Sequence, residues 1–210
     1  MGDRIDRFRS RVRDAAASAA GALGQVGPLA AVRGALREIR ARRARIPERQ
    51  LARAVLRAGT IAAASVRTRE NRIEITAELE SGRVIAAALI PESAHFAPRG
   101  AKEIIFAVDP PEAAADAKLR DIAGMIAALV ARALWGPFLA PAEGGVDAGA
   151  LVDREAQKLR VDLRTCPAVR AASQGAPAAA LVMDALTIES FEVDEQGLSI
   201  RLGLPRLPVG

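Results

Sequence analysis

A change in the spacing of apolar residues near position 60 constrains the fold of this 210-residue chain more than any other feature. Beyond Thr60 apolar and polar residues alternate, most regularly over residues 72–79, where every second side chain is hydrophobic. A period of two places the apolar side chains on one face of a β-strand, which is typical of a half-buried antiparallel sheet. The pattern predicts strands over residues 61–68, 72–79, 84–90 and 103–108.

Helical spacing returns after Pro110 and Pro111, which end the run of strands because proline cannot donate to a strand ladder. The segment that follows has apolar residues three and four positions apart and stops at Gly136 and Pro137. Its main apolar positions are Leu119, Ile122, Ile126, Leu129, Val130 and Leu134. A long helix that presents a broad apolar face to the strands is therefore predicted.

The last third of the chain repeats an earlier pattern. We expect a strand over residues 159–164, an alanine-rich helix near 178–186 and a hairpin over 187–204. A shift of 125 residues aligns VRTRENRIEITAEL at 66–79 with FEVDEQGLSIRLGL at 191–204. An internal duplication would explain this echo, although any two amphipathic hairpins share such alternation.

The start of the chain differs from the rest in charge. Residues 1–57 hold 14 arginines and 5 acidic residues, a net of +9, whereas the other 153 residues hold 16 basic and 20 acidic groups, a net of −4. Arginines surround apolar residues at helical spacing, which predicts two helices, from Asp3 to about Ala22 and from Leu29 to about Arg45. We assign residues 1–46 to a basic amphipathic helical arm and residues 47–210 to an α+β domain.

The α+β domain begins with a third predicted helix. Pro47 suits the first turn of a helix, and the pattern ends near Gly59. Leu51, Val55 and Leu56 are expected to face inward.

The sequence contains no complete catalytic, metal-binding or nucleotide-binding motif. One histidine, His95, and one cysteine, Cys166, cannot supply a zinc ligand set or an intramolecular disulfide. We predict that His95 is structural or exposed, that Cys166 is a core thiol, and that carboxylates such as Glu74 and Glu189 solvate strand faces. No cofactor or metal is expected, and nothing in the sequence argues for an enzyme.

Other features bear on location and ligand class. No apolar segment follows the basic residues at the start of the sequence, which favours a cytoplasmic protein, peripheral on the inner membrane. The chain has no tyrosine, one tryptophan and five phenylalanines. Sites for single-stranded nucleic acid and sugar usually stack their ligands on aromatic rings, so both ligand classes are disfavoured.

The two hairpins, together with KLRDIAGMIAALVARAL at 118–134, resemble the bacterial TULIP-like, or tubular lipid-binding, domains. In that family a helix packs along a curved sheet and the apolar interior holds acyl chains. The resemblance covers about residues 50–206 and implies a curved antiparallel sheet packed around the long helix. Many bacterial members are exported, and no export signal is recognised in this sequence.

Small residues beside the helix stripe suggest where a lipid would bind. Ala123, Ala127 and Ala133 flank the stripe and leave room that larger side chains would fill. We therefore predict that Leu119, Ile122, Ile126, Leu129, Val130 and Leu134 form a lipid-binding surface. The alternative is that the same face is a filled core.

Two functional hypotheses follow. The first is a non-enzymatic lipid-binding or amphiphile-binding protein at an anionic membrane surface, contacted by Arg4, Ile5, Arg7, Phe8, Arg11 and Val12. The second is a protein–protein interaction or scaffolding module whose arm pairs with a partner helix or with a second copy in a homodimer. Nucleic-acid binding ranks last because the sequence lacks a recognition-helix motif and an aromatic platform.

Overall fold

The computed structural model describes residues 43–97, 100–136, 139, 149–175, 180, 183–184 and 187–203. The predicted arm lies outside these residues except for positions 43–46, and so does most of the predicted helix near 178–186. The helices are α1 (Glu48–Leu56), α2 (Ala117–Trp135) and α3 (Pro167–Gly175). The strands are β1 (Arg43–Ile46), β2 (Ile61–Arg69), β3 (Arg72–Leu79), β4 (Val84–Phe96), β5 (Lys102–Asp109), β6 (Val152–Glu155), β7 (Lys158–Asp162), β8 (Thr187–Asp194) and β9 (Gly197–Gly203).

The strands form two antiparallel sheets, which together with the helices confirm the predicted α+β class. Six strands pair in the order β2-β3-β4-β5-β7-β6, and three pair in the order β1-β9-β8. Both predicted hairpins are present, β2–β3 in the larger sheet and β8–β9 in the smaller. The internal duplication stays a prediction, because a hairpin is a common unit and its presence twice does not reveal its origin.

Strand β4 continues beyond the predicted end at Ile90. It passes Pro91 by means of an irregularity in its pairing with β5 between Pro91 and Ser93, and it ends at Phe96. Pro91 stays in register with Phe106, and Glu92 is the extra residue of this bulge. The strand that was expected over residues 159–164 is β7, and it ends at Asp162.

Two expectations near the start of the described residues need correction, and two further elements were missed. Residues 43–46 form a strand paired with β9, so the second predicted helix does not reach Arg45. Leu56 is 42% exposed instead of facing inward, whereas Leu51 and Val55 are fully buried. Strand β6 and helix α3 were not predicted from the sequence.

Helix α2 lies at the centre of the hydrophobic core. Seven consecutive residues, 122–128, are buried, so the helix is covered on all its sides along this stretch. It contacts α1, β1, β6 and β7, and its apolar residues belong to one continuous core with β2, β3, β4 and β5. Within the part of the chain that the structure describes, no helix is long and apolar enough to cross a membrane.

Candidate functional site

The predicted lipid-binding stripe of α2 lies in the filled core. Leu119, Ile122, Ile126 and Val130 are 0% exposed, Leu134 is buried and Leu129 is half-buried. A side chain that borders an empty channel is touched by a water-sized sphere even when the channel is closed to the outside. No empty acyl-sized channel therefore borders the four fully buried residues, and lipid binding by the stripe stays a prediction without a cavity beside it.

Gly124 of α2 allows the close approach of a second backbone segment. The Gly124 carbonyl accepts a hydrogen bond from the Ala150 N–H at 3.0 Å. A Cβ at Gly124 would lie 2.5 Å from the Ala150 carbonyl oxygen, so only glycine admits the second backbone at this distance. At Gly124 the space is therefore occupied by the chain itself, Ala123 and Ala127 are buried in the core, and Ala133 is exposed.

The six residues predicted to contact the membrane, Arg4, Ile5, Arg7, Phe8, Arg11 and Val12, lie outside the described residues. The structure does show where the arm joins the domain. Strand β1 pairs with β9 and buries Ile46, and Pro47 then leads directly into α1. The arginine-rich segment therefore enters the domain immediately before α1.

Helix α1 carries a row of exposed arginines, which we call the basic face of α1: Arg49, Arg53 and Arg57. Their spacing of four residues places them on one side of the helix, opposite the buried Leu51 and Val55. None of the three forms an ion pair with another described residue. Leu56 lies seven positions after Arg49 and three after Arg53, so its exposed side chain belongs to the same face.

The only acidic residue of α1 does not neutralise this face. The Glu48 carboxylate accepts hydrogen bonds from the Thr68 N–H at 2.5 Å and the Thr68 hydroxyl at 3.1 Å. These bonds hold Glu48 against β2, and Thr68 is buried. The result is an amphipathic helix with an apolar inner side and a cationic outer side that no described acidic residue neutralises.

A separate cavity lies beside the C-terminal end of α2. It has a volume of about 160 Å³ and is lined by residues from α2, β5, α3 and the segments around them: Lys102, Trp135, Arg164, Val169, Ser173, Ala180, Met183 and Asp184. We call it the Lys102 cavity. It combines charged groups with apolar side chains, and its volume is smaller than the roughly 300 to 1,000 Å³ of typical small-molecule sites.

Lys102 is the most deeply buried charged side chain among the described residues, at 1% exposure. Its ammonium donates to the carbonyl oxygens of Ala97 at 2.9 Å and Asp184 at 3.0 Å. It also lies 5.6 Å from the centroid of the Phe96 ring, within range of a cation–π attraction. Burial, together with the positive charge of the neighbouring Arg164, lowers the pKa of Lys102 to about 8 against the opposing effect of Asp184.

Trp135 packs behind the Lys102 cavity. It is 0% exposed and packs against Phe96 with ring centroids 6.2 Å apart. Its indole N–H has no hydrogen-bond partner among the described residues. Nearer the surface, the Arg164 guanidinium donates to the Asp184 carboxylate at 2.7 Å. Among the described residues, the cavity is therefore surrounded by two cationic side chains and one carboxylate, with a fully buried indole N–H behind them.

The residues considered for catalysis lie apart. His95 is exposed on β4, and Cys166 is 2% exposed in the core, as predicted. Glu74 accepts a hydrogen bond from Arg69 at 2.9 Å, and Glu189 borders a groove between β4 and β8. Within the described ranges no group of three or more His, Cys, Asp and Glu side chains could hold a metal ion.

Sequence reasoning missed Lys102 and Trp135. Lys102 precedes the apolar run EIIFAV, a position typical of an exposed residue at the start of a strand. Its partner Asp184 follows 82 residues later, so no local pattern could indicate the contact. One sequence feature could have indicated Trp135: a lone tryptophan in a chain poor in aromatic residues often has a specific packing or polar role.

Comparison of the chain with protein-family models, with curated proteins and with solved structures finds no match.

Proposed function

We propose that this protein is a non-enzymatic binding protein that docks on an anionic membrane surface through the basic face of α1 and the arginine-rich segment before it. One observation carries the proposal. Three exposed arginines that form no ion pair with another described residue share one helix face with the exposed Leu56, directly after the most basic part of the sequence. Cationic groups beside an exposed apolar side chain are typical of helices that lie at a membrane interface.

The expected free energy of membrane binding requires both the basic face of α1 and the arm. A basic residue near an anionic leaflet contributes about 1 kcal/mol, so the basic face of α1 contributes on the order of 3 kcal/mol. That corresponds to binding weaker than about 1 mM, which is too weak to hold a protein on a membrane. The nine arginines of residues 1–42 and the shallow insertion of Ile5, Phe8 and Val12 would supply the remainder.

An anionic lipid surface explains this face better than a nucleic acid does. Leu56 lies among the arginines, and burial of an apolar side chain is favourable in a bilayer interface but not against a phosphate backbone. None of the residues that share the face is aromatic, so bases would find no stacking platform. The proposal needs no acyl-binding cavity along α2.

Vesicle flotation of the full chain tests the proposal. We expect binding to vesicles that contain phosphatidylglycerol and none to pure phosphatidylcholine vesicles, because the attraction depends on lipid charge. Binding should fall as salt rises, since the Debye length shrinks from about 10 Å at 0.1 M to about 3 Å at 1 M. Equal binding to both kinds of vesicle, or no binding together with a dimer in solution, would contradict membrane docking and support the interaction-module hypothesis.

A further inference from the structure

A groove between β4 and β8 separates the two sheets at one point of the fold. It has a volume of about 170 Å³ and is lined by residues 91–94 of β4 and 188–191 of β8. Two strand edges face it, because β3 pairs with β4 only as far as Leu89 and β8 is an outer strand of the smaller sheet. Every lining side chain except Pro91 is exposed or half-buried. The β4–β8 groove, as we call it, therefore borders free space.

Each of the two strands has an extra residue at the groove. Glu92 interrupts the pairing of β4 with β5, and Glu189 interrupts the pairing of β8 with β9. A bulge bends its strand and redirects a side chain. Beside them, the Asn71 side-chain amide donates to the Pro91 carbonyl oxygen at 3.4 Å, and Asn71 also bonds to the backbone of Val193. The bulges thus place one carboxylate on each strand of a groove whose two sides Asn71 joins.

The charges in and beside the groove leave one carboxylate in excess. Glu92 is bonded to Lys158 at 2.6 Å. Glu189, and Glu192 further along β8, are exposed and form no ion pair with another described residue. Arg201 of the neighbouring strand β9 is the second cation of this region. Three carboxylates and two cations leave room for one further positive charge.

The position of Glu189 makes it the carboxylate that a partner would meet. Its side chain lies over Gly203 of β9, where a Cβ would be only 2.6 Å from the Glu189 Cγ atom. Glycine at this position therefore makes room for the Glu189 side chain on the outside of the smaller sheet. Gly203 is two residues from Arg201, which pairs with the first residue of β1, Arg43. Glu189 thus lies near the point where the arm enters the fold.

The arm is long enough and basic enough to supply the missing charge. Its residues 33–42 hold four arginines and one acidic residue. β1 pairs with β9 and β9 pairs with β8, so two strand spacings, about 10 Å in all, separate β1 from β8. An extended chain covers about 3.3 to 3.6 Å per residue, so about three residues before β1 span this distance.

We infer that the β4–β8 groove binds the arginine-rich segment 33–42 of the same chain, with one guanidinium paired to Glu189. A carboxylate accepts two of the five guanidinium N–H groups side by side, and hydroxyl oxygens can accept others. Ser93 and Ser190 supply such hydroxyls in the lining. The volume of about 170 Å³ exceeds the roughly 150 Å³ of a cavity that holds benzene, so the smaller guanidinium head fits.

This inference does not rest on the proposed membrane docking. The groove and an anionic bilayer would compete for the same arginines, so the groove would restrain part of the arm until a membrane replaced it. The test below uses no vesicles. Its failure would leave membrane docking untouched, and failure of vesicle flotation would leave the groove untouched.

Limited digestion of the full chain with trypsin tests the inference, because trypsin cleaves after arginine and the rate follows the fraction of chains in which the segment is released. Glu189→Gln removes the charge at nearly constant size. We expect it to raise the rate of cleavage within residues 33–42 about two- to fivefold, the range for an exposed ion pair. Glu78→Gln makes the same change at an exposed position of β3 outside the groove and should leave the rate unchanged.

Cleavage after Arg201 serves as the structural control, because it reports on fraying of β9 and should be equal in wild type and Glu189→Gln. Four results would overturn the inference. They are equal cleavage of residues 33–42 in wild type and Glu189→Gln, an equal rise in Glu78→Gln, and a rise after Arg201 as large as that within 33–42. The fourth is protection that increases with protein concentration, since that would place the arm of a second copy in the groove.

Discussion

Asn71 and Val193 join the two sheets through a pair of hydrogen bonds. The Asn71 N–H donates to the Val193 carbonyl oxygen at 3.1 Å, and the Asn71 side-chain oxygen accepts from the Val193 N–H at 3.2 Å. Asn71 lies in the turn between β2 and β3 with φ of 58°, a left-handed conformation that asparagine tolerates better than most residues. One residue thus shapes a hairpin of the larger sheet and attaches it to β8 of the smaller.

Asn71→Ala should lower the free energy of unfolding by about 2 to 3 kcal/mol, because it loses the side-chain bond and strains the turn. Asn71→Gly removes the same bond but accepts the positive φ, so the expected loss is about 1 kcal/mol. Urea unfolding of both variants measures the difference. Equal stabilities for the two variants would show that the turn conformation costs nothing, and wild-type stability in both would contradict the coupling.

Gly124→Ala should destabilise the protein by about 1 to 3 kcal/mol or more, because the new Cβ would lie 2.5 Å from the Ala150 carbonyl oxygen. Gly175→Ala at the end of α3 is the matched control, since its Cβ would meet no atom within 4 Å. We expect the control to stay within about 0.5 kcal/mol of wild type. Thermal unfolding measures the stability of both variants. Equal stabilities would contradict the close approach of the Ala150 backbone to Gly124.

Ile126→Trp tests whether the centre of α2 is filled. In a packed core the larger side chain should lower the free energy of unfolding by about 1 to 3 kcal/mol or more, with no change in the lipid content of an organic extract. Leu56→Trp on the exposed face of α1 should change stability by less than about 0.5 kcal/mol. A stable Ile126→Trp protein that lost a bound lipid would restore the predicted acyl site along the stripe.

The stability of the protein should depend on the protonation of Lys102. Its pKa is lowered by burial from 10.5 to about 8, so between these two values the unfolded state retains a proton that the folded state has released. The free energy of unfolding therefore gains a contribution that rises with pH across this window, whereas below pH 8 both states are protonated and the contribution is constant. Urea unfolding at about pH 7 and about pH 10 should show this rise in wild type and its absence in Lys102→Met. If the free energy of unfolding changed with pH in the same way in both proteins, Lys102 would not be the cause of the rise.

The larger sheet and the long helix were predictable because their evidence is local. Residues 72–79 alternate strictly, and alternation is enough to place Ile73, Ile75, Ala77 and Leu79 on a buried face. Strand β1 was not predictable, because its four residues RARI continue an arginine-rich helical pattern. Its extended conformation depends on β9, whose residues lie more than 150 positions later in the chain.

The candidate sites show the same division between local and distant evidence. The apolar stripe of α2 was evident from the sequence, but the residues that cover the helix were not. Gly149 and Ala150, which pack against Gly124, belong to a segment that follows the helix in the chain. The segregation of charge indicated a cationic partner surface near the start of the chain. It could not indicate that Glu48 turns inward to Thr68 and leaves Arg49, Arg53 and Arg57 without a neutralising acid on their own helix.

The most direct test of membrane docking compares two charge-matched double variants in vesicle flotation. Arg49→Gln with Arg53→Gln removes two charges from the basic face of α1, and Arg154→Gln with Arg170→Gln removes two exposed charges from β6 and α3. At about 1 kcal/mol per charge, we expect the first pair to weaken partitioning onto phosphatidylglycerol vesicles about 30-fold and the second pair to change it less than about threefold. Equal effects of the two pairs, with both proteins folded, would contradict a defined docking face on α1.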